Sequence, residues 1–503
     1  MLKWLNRILT KKYVPFVIRF FCLLVFLIFF LTLFYGSIRV LDLNLTSNIV
    51  MFILWTIWWP FLYLSLLFFA RGWCGFLCPV SLANEAGNFL VGKKGRLLNF
   101  QKWGFFAYIA FFFIALWEQI SGLFLSSKMS LIFLLGFFIL AFLMGIIFKR
   151  WSFCAVVCPI GALLGVFSRL AFIGLRVDES ICKSCKTKEC LVGGKTKPCP
   201  AFNNVPNIDT NRHCLLCSNC IKNCPHNSAG IRFVRPNADL YKHTAFNSVE
   251  SLFIIAVLGM LFILTTKGTV FIREIFMSLG LIEITGWLLR VLDFVFAIGL
   301  ALLIFIVICR LSRTERITGY LYLPLAFLIM SFTVIFGFLG PYFLNELAIV
   351  MLKNLFLAIG ALWSIYLAGK TIKNKGKYIH ILLIIGIWLL WSFVLIQNEA
   401  PKEIYKITNE VVEMKAFSMG FTPQILFVDV GNTVDLNISN LDIIHAFDIN
   451  KFNVHRIISG GKTSRVAFTP NMTGEYEFYC SIPGHREAGM RGKLIVEEKE
   501  NVI

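Results

Sequence analysis

Long apolar runs alternate with short polar segments along the first 400 residues of the chain. A helix needs about 20 apolar residues to cross the roughly 30 Å hydrocarbon core of a bilayer. The runs that meet this length are predicted to be nine membrane-spanning helices: 14–36, 49–71, 104–126, 130–148, 247–266, 289–309, 318–340, 344–369 and 378–397. A further stretch, 268–288, mixes apolar residues with Arg273 and Glu274 and is interpreted as an interfacial helix on the outer side.

Basic residues gather on one side of this predicted arrangement. They precede the first apolar run and follow the second, fourth, sixth and eighth: Lys3, Arg7, Lys11, Lys12, Lys93, Lys94, Arg96, Lys102, Lys149, Arg150, Arg310, Arg313, Arg316, Lys370, Lys373, Lys375 and Lys377. Loops rich in Lys and Arg stay in the cytoplasm during insertion. The polar block 176–243 is therefore predicted to be cytoplasmic, and the segment after Gln397 extracytoplasmic.

The composition narrows the class of protein. The chain has 503 residues, 58% of them hydrophobic, with 52 Phe and a mean hydropathy of +0.76, which is too apolar for a row of soluble domains. Its net charge of +20 does not indicate a nucleic-acid partner, because the basic residues lie in short loops between apolar runs and not along one stripe. We expect a multi-pass protein of a bacterial or archaeal cytoplasmic (inner) membrane, with the lipid bilayer as a partner.

Four cysteines in the polar block have a spacing typical of iron–sulfur proteins. Cys214, Cys217, Cys220 and Cys224 follow the pattern C-x2-C-x2-C-x3-C-P, in which three thiolates hold one [4Fe–4S] cluster and the fourth serves another. A zinc site is the alternative, but it usually has two C-x2-C pairs joined by a longer linker.

A second set of cysteines precedes the first, as two clusters would require. In two-cluster proteins each set of three cysteines takes its fourth ligand from the other set. One [4Fe–4S] cluster is therefore assigned to Cys182, Cys185, Cys190 and Cys224, and the other to Cys214, Cys217, Cys220 and Cys199. The first set departs from the regular pattern, with C-x2-C-x4-C and a longer gap to Cys199.

Two further cysteine pairs follow the second and fourth apolar runs. Cys74 and Cys78, and likewise Cys154 and Cys158, form C-x3-C-P motifs. A spacing of four places both thiols on one helix face, and the proline is expected to end the helix. These four sulfurs are candidate redox or metal thiols; buried packing is the alternative.

The last hundred residues change to short alternating strands, such as 424–428 and 475–479, with Gly, Asn and Pro between them, which predicts a β-sandwich. His445, Cys480, His485 and Met490 make up the ligand set of a type 1 copper centre. A dinuclear copper site would need a second cysteine in the loop, where Gly484 stands. His455 is interpreted as a surface or structural residue.

Two resemblances follow from these motifs. The twin C-x3-C-P motifs with the two-cluster segment resemble the polyferredoxin membrane subunits of the NapH/NosR type and the CcoG-type proteins of copper oxidase assembly, over residues 50–235. This resemblance implies cytoplasmic clusters and electron exchange with the quinone pool or with copper. The chain departs from these families in having no N-terminal flavin-carrying domain and about four additional helices. Residues 405–498 are similar to cupredoxins of the plastocyanin family.

The predicted architecture has four parts: membrane helices with the twin motifs (1–175), a ferredoxin-like domain (176–243), further membrane helices (244–400) and a cupredoxin domain (401–503). The first functional hypothesis is an electron carrier, rather than a stand-alone enzyme, that links the clusters through quinone to the copper centre and an extracytoplasmic redox partner. The second is a copper reductase or delivery factor for a copper enzyme. The sequence leaves the direction of electron flow open.

Overall fold

The computed structural model describes residues 3–38, 50–91, 104–121, 127–241, 247–266, 286–338, 346–397, 404–440, 444–482 and 490–498, apart from 12, 51, 236, 408–409 and 418–419, together with residue 96. The predicted interfacial helix at 268–288 lies almost wholly outside these residues.

Each predicted apolar run is helical over its described residues, apart from a few residues at the ends of some runs. The α-helices of the first part are α1 (Lys3–Thr10), α2 (Val14–Ile38), α3 (Trp59–Phe69), α4 (Pro79–Val91), α5 (Phe106–Ser121), α6 (Ser127–Ile147) and α7 (Pro159–Phe167). Those of the polar block are α8 (Glu179–Ser184), α9 (Glu189–Val192), α10 (Asn219–Asn223) and α11 (Ala238–Tyr241). The remaining ones are α12 (Ser248–Thr266), α13 (Gly286–Ser312), α14 (Leu323–Phe338), α15 (Glu346–Thr371) and α16 (Gly376–Gln397).

Seven helices in the described part of the chain are long and apolar enough to cross a membrane. The predicted runs at 49–71 and 104–126 correspond to shorter apolar helices, Ile53–Phe69 and Phe106–Glu118. The membrane-type helical fold is thus confirmed. The span count of nine and the sidedness stay predictions.

The chain divides into two compact units. The first comprises Met1–Ile254, Cys309–Phe327 and Tyr366–Lys377, and the second comprises Ile255–Ile308, Leu328–Ile365 and Tyr378–Ile503. The first unit therefore contains all the cysteine motifs of the N-terminal half. The second contains the strand-rich C-terminal segment.

Small residues allow close helix packing in the first unit. A Cβ on Gly87 of α4 would lie 2.3 Å from the Phe142 carbonyl oxygen of α6, and one on Gly145 of α6 would lie 2.3 Å from the Asn84 carbonyl oxygen. Asn84 donates its side-chain amide to the Ala141 carbonyl at 2.8 Å. Helix α4, which follows the first C-x3-C-P motif, is thereby fixed against α6, which precedes the second.

The polar block has little regular structure. A two-stranded antiparallel ribbon, β1 (Ile173–Arg176) and β2 (Gly230–Phe233), brackets it and brings its two ends together. The short helices α8, α9 and α10 lie between them. The ribbon closes the segment into a loop in which Cys199, Cys214, Cys217 and Cys220 are buried, whereas Cys182, Cys185, Cys190 and Cys224 are half-buried.

The C-terminal segment forms the predicted β-sandwich. Its strands are β3 (Ile404–Lys406), β4 (Val412–Phe417), β5 (Gly420–Thr422), β6 (Ile425–Asp429), β7 (Val434–Asn440), β8 (His445–Ile449), β9 (Val454–Ile458), β10 (Thr463–Phe468), β11 (Gly474–Tyr479) and β12 (Arg491–Glu497). One sheet has the order β10-β7-β4-β5 and the other β3-β6-β12-β11-β8-β9. Alternate residues of the strands, such as Leu426, Leu436 and Phe478, are fully buried and form the core.

Candidate metal and redox sites

Four thiols of the second predicted cluster set surround one cavity. Cys199, Cys214, Cys217 and Cys220 all line it and are buried, and the rest of its lining is largely apolar, with Leu175 and Ile231 from the ribbon. Burial and the neighbouring Cys217, Cys214 and Cys199 raise the pKa of the Cys220 thiol well above its usual range. The structure therefore brings together the four residues that the spacing assigned to this cluster.

Cys214, Cys217 and Cys220 lie on one segment, which we call the cysteine loop. Two of its residues have a left-handed backbone conformation. Leu216 (φ 51°) and Ser218 (φ 65°) turn the backbone so that it wraps around the cavity. Burial raises the pKa of Cys214 and of Cys217 to about 12, and hydrogen bonds from the Leu216 and Asn219 backbone N–H groups, respectively, offset part of this rise. N–H groups aimed at sulfur are the environment in which iron–sulfur thiolates are held.

The first predicted set also converges. Burial, with the neighbouring Cys224, Cys182 and Cys185, raises the pKa of Cys190 to about 11. Ser228 joins two of these thiols, because its hydroxyl lies 3.3 Å from Cys182 Sγ and its N–H donates to Cys224 Sγ at 3.3 Å. The irregular spacing of this set is thus compatible with four thiols around one point.

The C-x3-C segments are π-helical rather than α-helical. They span Trp73–Leu77 and Phe153–Val157, and the N–H of each following cysteine donates to a carbonyl five residues earlier. Each helical turn ends at the cysteine before the proline, as predicted. Each proline then begins a new helix, α4 or α7, since its fixed φ and missing N–H suit a first helical position.

The two C-x3-C-P motifs bring four thiols together. Burial, followed by the neighbouring thiols Cys74 and Cys158, raises the pKa of Cys78 above its usual range. Burial and the thiols Cys158, Cys78 and Cys74 do the same for Cys154. We refer to Cys74, Cys78, Cys154 and Cys158 as the four-thiol set.

A buried cation lies beside this set. Arg71 is 1% exposed, and its guanidinium donates to the Cys154 carbonyl and the Arg212 carbonyl, both at 3.3 Å. Burial raises the pKa of both Cys154 and Cys214, and the positive charge of Arg71 offsets a small part of this rise. Arg71 therefore lies between the four-thiol set and the cysteine loop, where it would offset the negative charge of metal thiolates.

The four-thiol set also contacts the cysteine loop directly. A Cβ on Gly75 would lie 2.1 Å from the Leu215 carbonyl oxygen and 3.0 Å from the Cys217 nitrogen. Only a glycine allows this approach.

A buried ionic network lies behind the cysteine loop. Glu250 of α12 accepts hydrogen bonds from Arg212 Nε (2.6 Å), Arg169 Nη2 (3.0 Å) and the Tyr320 hydroxyl (2.6 Å). Next to it, burial and the charge of Arg212 lower the pKa of His213 to about 3, so this imidazole is neutral. The carboxylate of Glu250, on the apolar helix α12, thus offsets the positive charge of Arg212, which stands two positions before Cys214.

In the C-terminal sandwich, three of the four predicted copper ligands lie around one strand end. His445 begins β8, Cys480 follows β11 and Met490 precedes β12, and all three are fully buried. Cys480 Sγ accepts a hydrogen bond from the Ala446 N–H (3.1 Å), and the Cys480 N–H donates to the Met490 carbonyl (3.0 Å). His485 lies outside the described residues.

His455 lies apart from this group of ligands. Its side chain is 61% exposed and pairs with Asp448, whose other oxygen accepts the Ser481 N–H at 3.2 Å. It is a surface residue, in agreement with its interpretation from sequence.

The donor atoms of the thiol sets and of the copper group suit the metals proposed for them. Within the described residues, no three side chains of His, Cys, Asp or Glu lie close enough to hold one metal ion. Thiolates of a [4Fe–4S] cluster each bind a different iron and stand farther apart than the ligands of one zinc ion. The copper ligands fit their ion by chemistry, because a buried thiolate, an imidazole and a thioether are soft donors.

Comparisons with known proteins find an iron–sulfur domain and a cupredoxin-like domain in the chain. A model described as a 4Fe-4S binding domain matches residues 51–96 and 130–176, which contain the four-thiol set. A model described as a cupredoxin-like domain matches residues 382–496. These matches confirm the predicted combination of an iron–sulfur domain and a C-terminal cupredoxin domain in one chain.

Similar proteins cover separate parts of the chain. The Escherichia coli K12 protein YccM, provisionally named an electron transport protein, is 28% identical over 33% of this chain and 51% of its own length. Cytochrome c oxidase subunit 2 of Thermus thermophilus is 31% identical over 17% of this chain and 65% of its own. The chain thus spans between half and two thirds of these relatives. Auracyanin B overlaps 17% of this chain and 88% of its own, with 20% identity and a TM-score of 0.16.

Sequence reasoning missed the charged and polar residues around the thiols, chiefly Arg71, Glu250 and Ser228. Arg71 and Glu250 carry a detectable signal, since each is a charged residue at the edge of an apolar run. Ser228 carries none.

Proposed function

We propose that the chain transfers electrons between cytoplasmic iron–sulfur sites and an extracytoplasmic type 1 copper centre, in exchange with the quinone pool and a respiratory partner. The observation that carries this proposal is that one chain groups its cysteines in fours and also buries Cys480, His445 and Met490 together at one end of a sandwich. When bound, such clusters and copper accept and release single electrons.

Each set of residues has a defined role in this proposal. Cys182, Cys185, Cys190 and Cys224 would hold one cluster, and Cys199, Cys214, Cys217 and Cys220 the other. His445, Cys480, His485 and Met490 would hold copper. The hydrogen bond from Ala446 to Cys480 Sγ tunes the thiolate, because donors to the sulfur adjust the potential of such centres.

The four-thiol set is proposed as a third redox-active metal site. It contacts the cysteine loop through Gly75, shares the cation Arg71 with it, and lies within the segments that match a 4Fe-4S binding model. A site here would lie next to the apolar helices and shorten the gap that electrons must cross between the cysteine loop and the membrane.

The names of the relatives support the same class of function. One relative is provisionally named for electron transport, and another is a subunit of a cytochrome oxidase. The basic loops support a cytoplasmic location for the cluster sets and an extracytoplasmic location for the copper domain.

The test uses the full-length protein in detergent with a short-chain quinol. Reduction of the iron–sulfur signal and of the copper signal is followed in the wild type, in Cys217→Ser and in Cys22→Ser, whose thiol belongs to no set. We expect the quinol to reduce both the iron–sulfur signal and the copper signal in the wild type and in Cys22→Ser. Absence of any exchange between quinol and either signal, with all metals present, would overturn the proposal.

Copper reduction or delivery is the second candidate function. The observation that favours it is the four-thiol set, since buried thiols are soft ligands that suit Cu(I). Rapid removal of copper from Cys480 by a Cu(I) chelator, or Cu(I) bound by the four-thiol set, would support delivery. Tightly held copper at Cys480 supports electron transfer.

A further inference from the structure

A cavity in the first unit lies at the ends of three membrane-type helices. It has a volume of ≈ 250 Å³ and lies between the C-terminal ends of α13 and α15 and the 3₁₀ turn Arg316–Tyr322. Its wall combines apolar side chains with polar and charged ones. The apolar members are Leu240, Ile317, Leu321, Leu367 and Ile372, and the polar or charged members are Arg313, Thr314, Glu315, Thr318, Tyr320, Thr371 and Asn374. A concave site that joins apolar surface to convergent polar groups is a usual form of a small-molecule site.

Thr371 offers a hydrogen-bonding group to an occupant of this cavity. Its Oγ1 is buried and has no partner among the described residues. A threonine in a helix normally returns its hydroxyl to the carbonyl four residues earlier, as Thr333 does to Ile329 at 2.7 Å and Thr265 does to Leu261 at 2.8 Å. The buried hydroxyl of Thr371 is costly unless a ligand satisfies it.

Tyr320 connects the cavity to the cysteine loop. It lines the cavity and donates its hydroxyl to Glu250 at 2.6 Å, and Glu250 in turn accepts from Arg212 at 2.6 Å. Arg212 stands two residues before Cys214. Three side chains therefore join the wall of the cavity to the chain segment that immediately precedes a proposed cluster ligand.

We propose that this cavity binds the ring of a quinone or quinol, which deepens the proposed function and rests on it. A quinone is apolar and planar, carries oxygen acceptors that suit the Thr371 hydroxyl, and travels in the hydrocarbon from which α13, α14 and α15 emerge. The helices that form the cavity lie beyond residues 50–235, so the resemblance of that region to other proteins does not account for it.

The exchange balances as follows. Oxidation of a bound quinol to quinone breaks two O–H bonds and releases two protons and two electrons. The iron–sulfur clusters of the proposed function, when bound, would accept these electrons one at a time. The protons leave to water past the exposed carboxylate of Glu315, which lines the cavity. Reduction of a quinone runs through the same groups in reverse.

The test is equilibrium dialysis of menadione against the full-length, metal-loaded protein in detergent. Thr371→Val keeps the side-chain shape and removes the hydroxyl, and we expect it to weaken menadione binding about fivefold. Leu367→Trp fills the cavity and should weaken binding tenfold or more. Thr333→Val is the matched control, because its hydroxyl is satisfied within its own helix, and it should bind as the wild type does.

Wild-type affinity in both Thr371→Val and Leu367→Trp, with metal content and thermal unfolding unchanged, would overturn the site. Displacement of menadione by inorganic phosphate would also overturn it, by identifying an anion site near Arg313. The electron-transfer proposal is judged separately. Menadione bound in this cavity without electron exchange leaves the site standing and refutes the function, whereas electron exchange unaffected by these variants refutes the site alone.

Discussion

Gly75 and the Leu215 carbonyl are so close that a Cβ on Gly75 would lie 2.1 Å from the oxygen. This contact joins the first C-x3-C segment to the loop that carries Cys214 and Cys217. It is the most direct link between the four-thiol set and a proposed cluster, and it has no room for a side chain.

Gly75→Ala should therefore separate the two sites. The added methyl group meets backbone atoms, which cannot rotate away, so the free energy of unfolding should fall by about 1–3 kcal/mol or more. Thermal unfolding in detergent and the iron content measure the effect. Gly136→Ala is the matched control, because a Cβ there has nothing within 4 Å. Equal behaviour of the two variants would contradict the contact.

The double variant Cys78→Ser/Cys158→Ser tests the third metal site. Removal of one thiol from each motif should abolish metal binding there and leave the copper centre and the two cluster sets intact, because those ligands lie in other segments. Metal analysis of the purified protein should show less metal per chain than in Cys22→Ser. An unchanged metal content would show that the four thiols only pack together.

The Glu250 network predicts a graded loss of stability. Glu250→Ala leaves Arg169 and Arg212 buried without their carboxylate, which should cost about 3–5 kcal/mol. Tyr320→Phe removes the hydrogen bond to the Glu250 carboxylate, about 1.5–3 kcal/mol, and the acceptor of the Asn247 N–H. Thermal unfolding in detergent compares them with Glu410→Ala, whose side chain is exposed. If Tyr320→Phe unfolds at a lower temperature than Glu250→Ala, this account is contradicted.

Met490→Leu should raise the reduction potential of the copper centre. The thioether donates weakly to copper and favours Cu(II), so its replacement favours Cu(I), while the similar volume preserves the core. Redox titration of the copper absorption measures the shift. Met472→Leu, on the exposed surface, should leave the potential unchanged. The same potential in both variants would show that Met490 is not a copper ligand.

The cysteine groupings could be predicted because their information is local. Cys214, Cys217 and Cys220 lie within seven residues, and iron–sulfur geometry dictates their spacing. The apolar runs and the sandwich were predictable for a similar reason, since periodicity and run length are read from neighbours.

The polar surroundings of the thiols could not be predicted, because they depend on contacts distant in sequence. Arg71 reaches Arg212 and Glu250 reaches Arg169, and no local pattern encodes either pair. The sequence did not predict the π-helical turns, because two cysteines four positions apart suit an α-helix equally well. The unsatisfied hydroxyl of Thr371 becomes visible only once the helix ends around it are placed.

Electron paramagnetic resonance of the purified full-length protein tests the central claim most directly. Spectra are recorded after air oxidation and after dithionite reduction, for the wild type and for Cys480→Ser. The account predicts a copper signal with narrow hyperfine splitting in the oxidised wild type, lost in Cys480→Ser, and reduced-cluster signals that both proteins retain. A copper signal that survives in Cys480→Ser, or reduced protein without cluster signals, would contradict it.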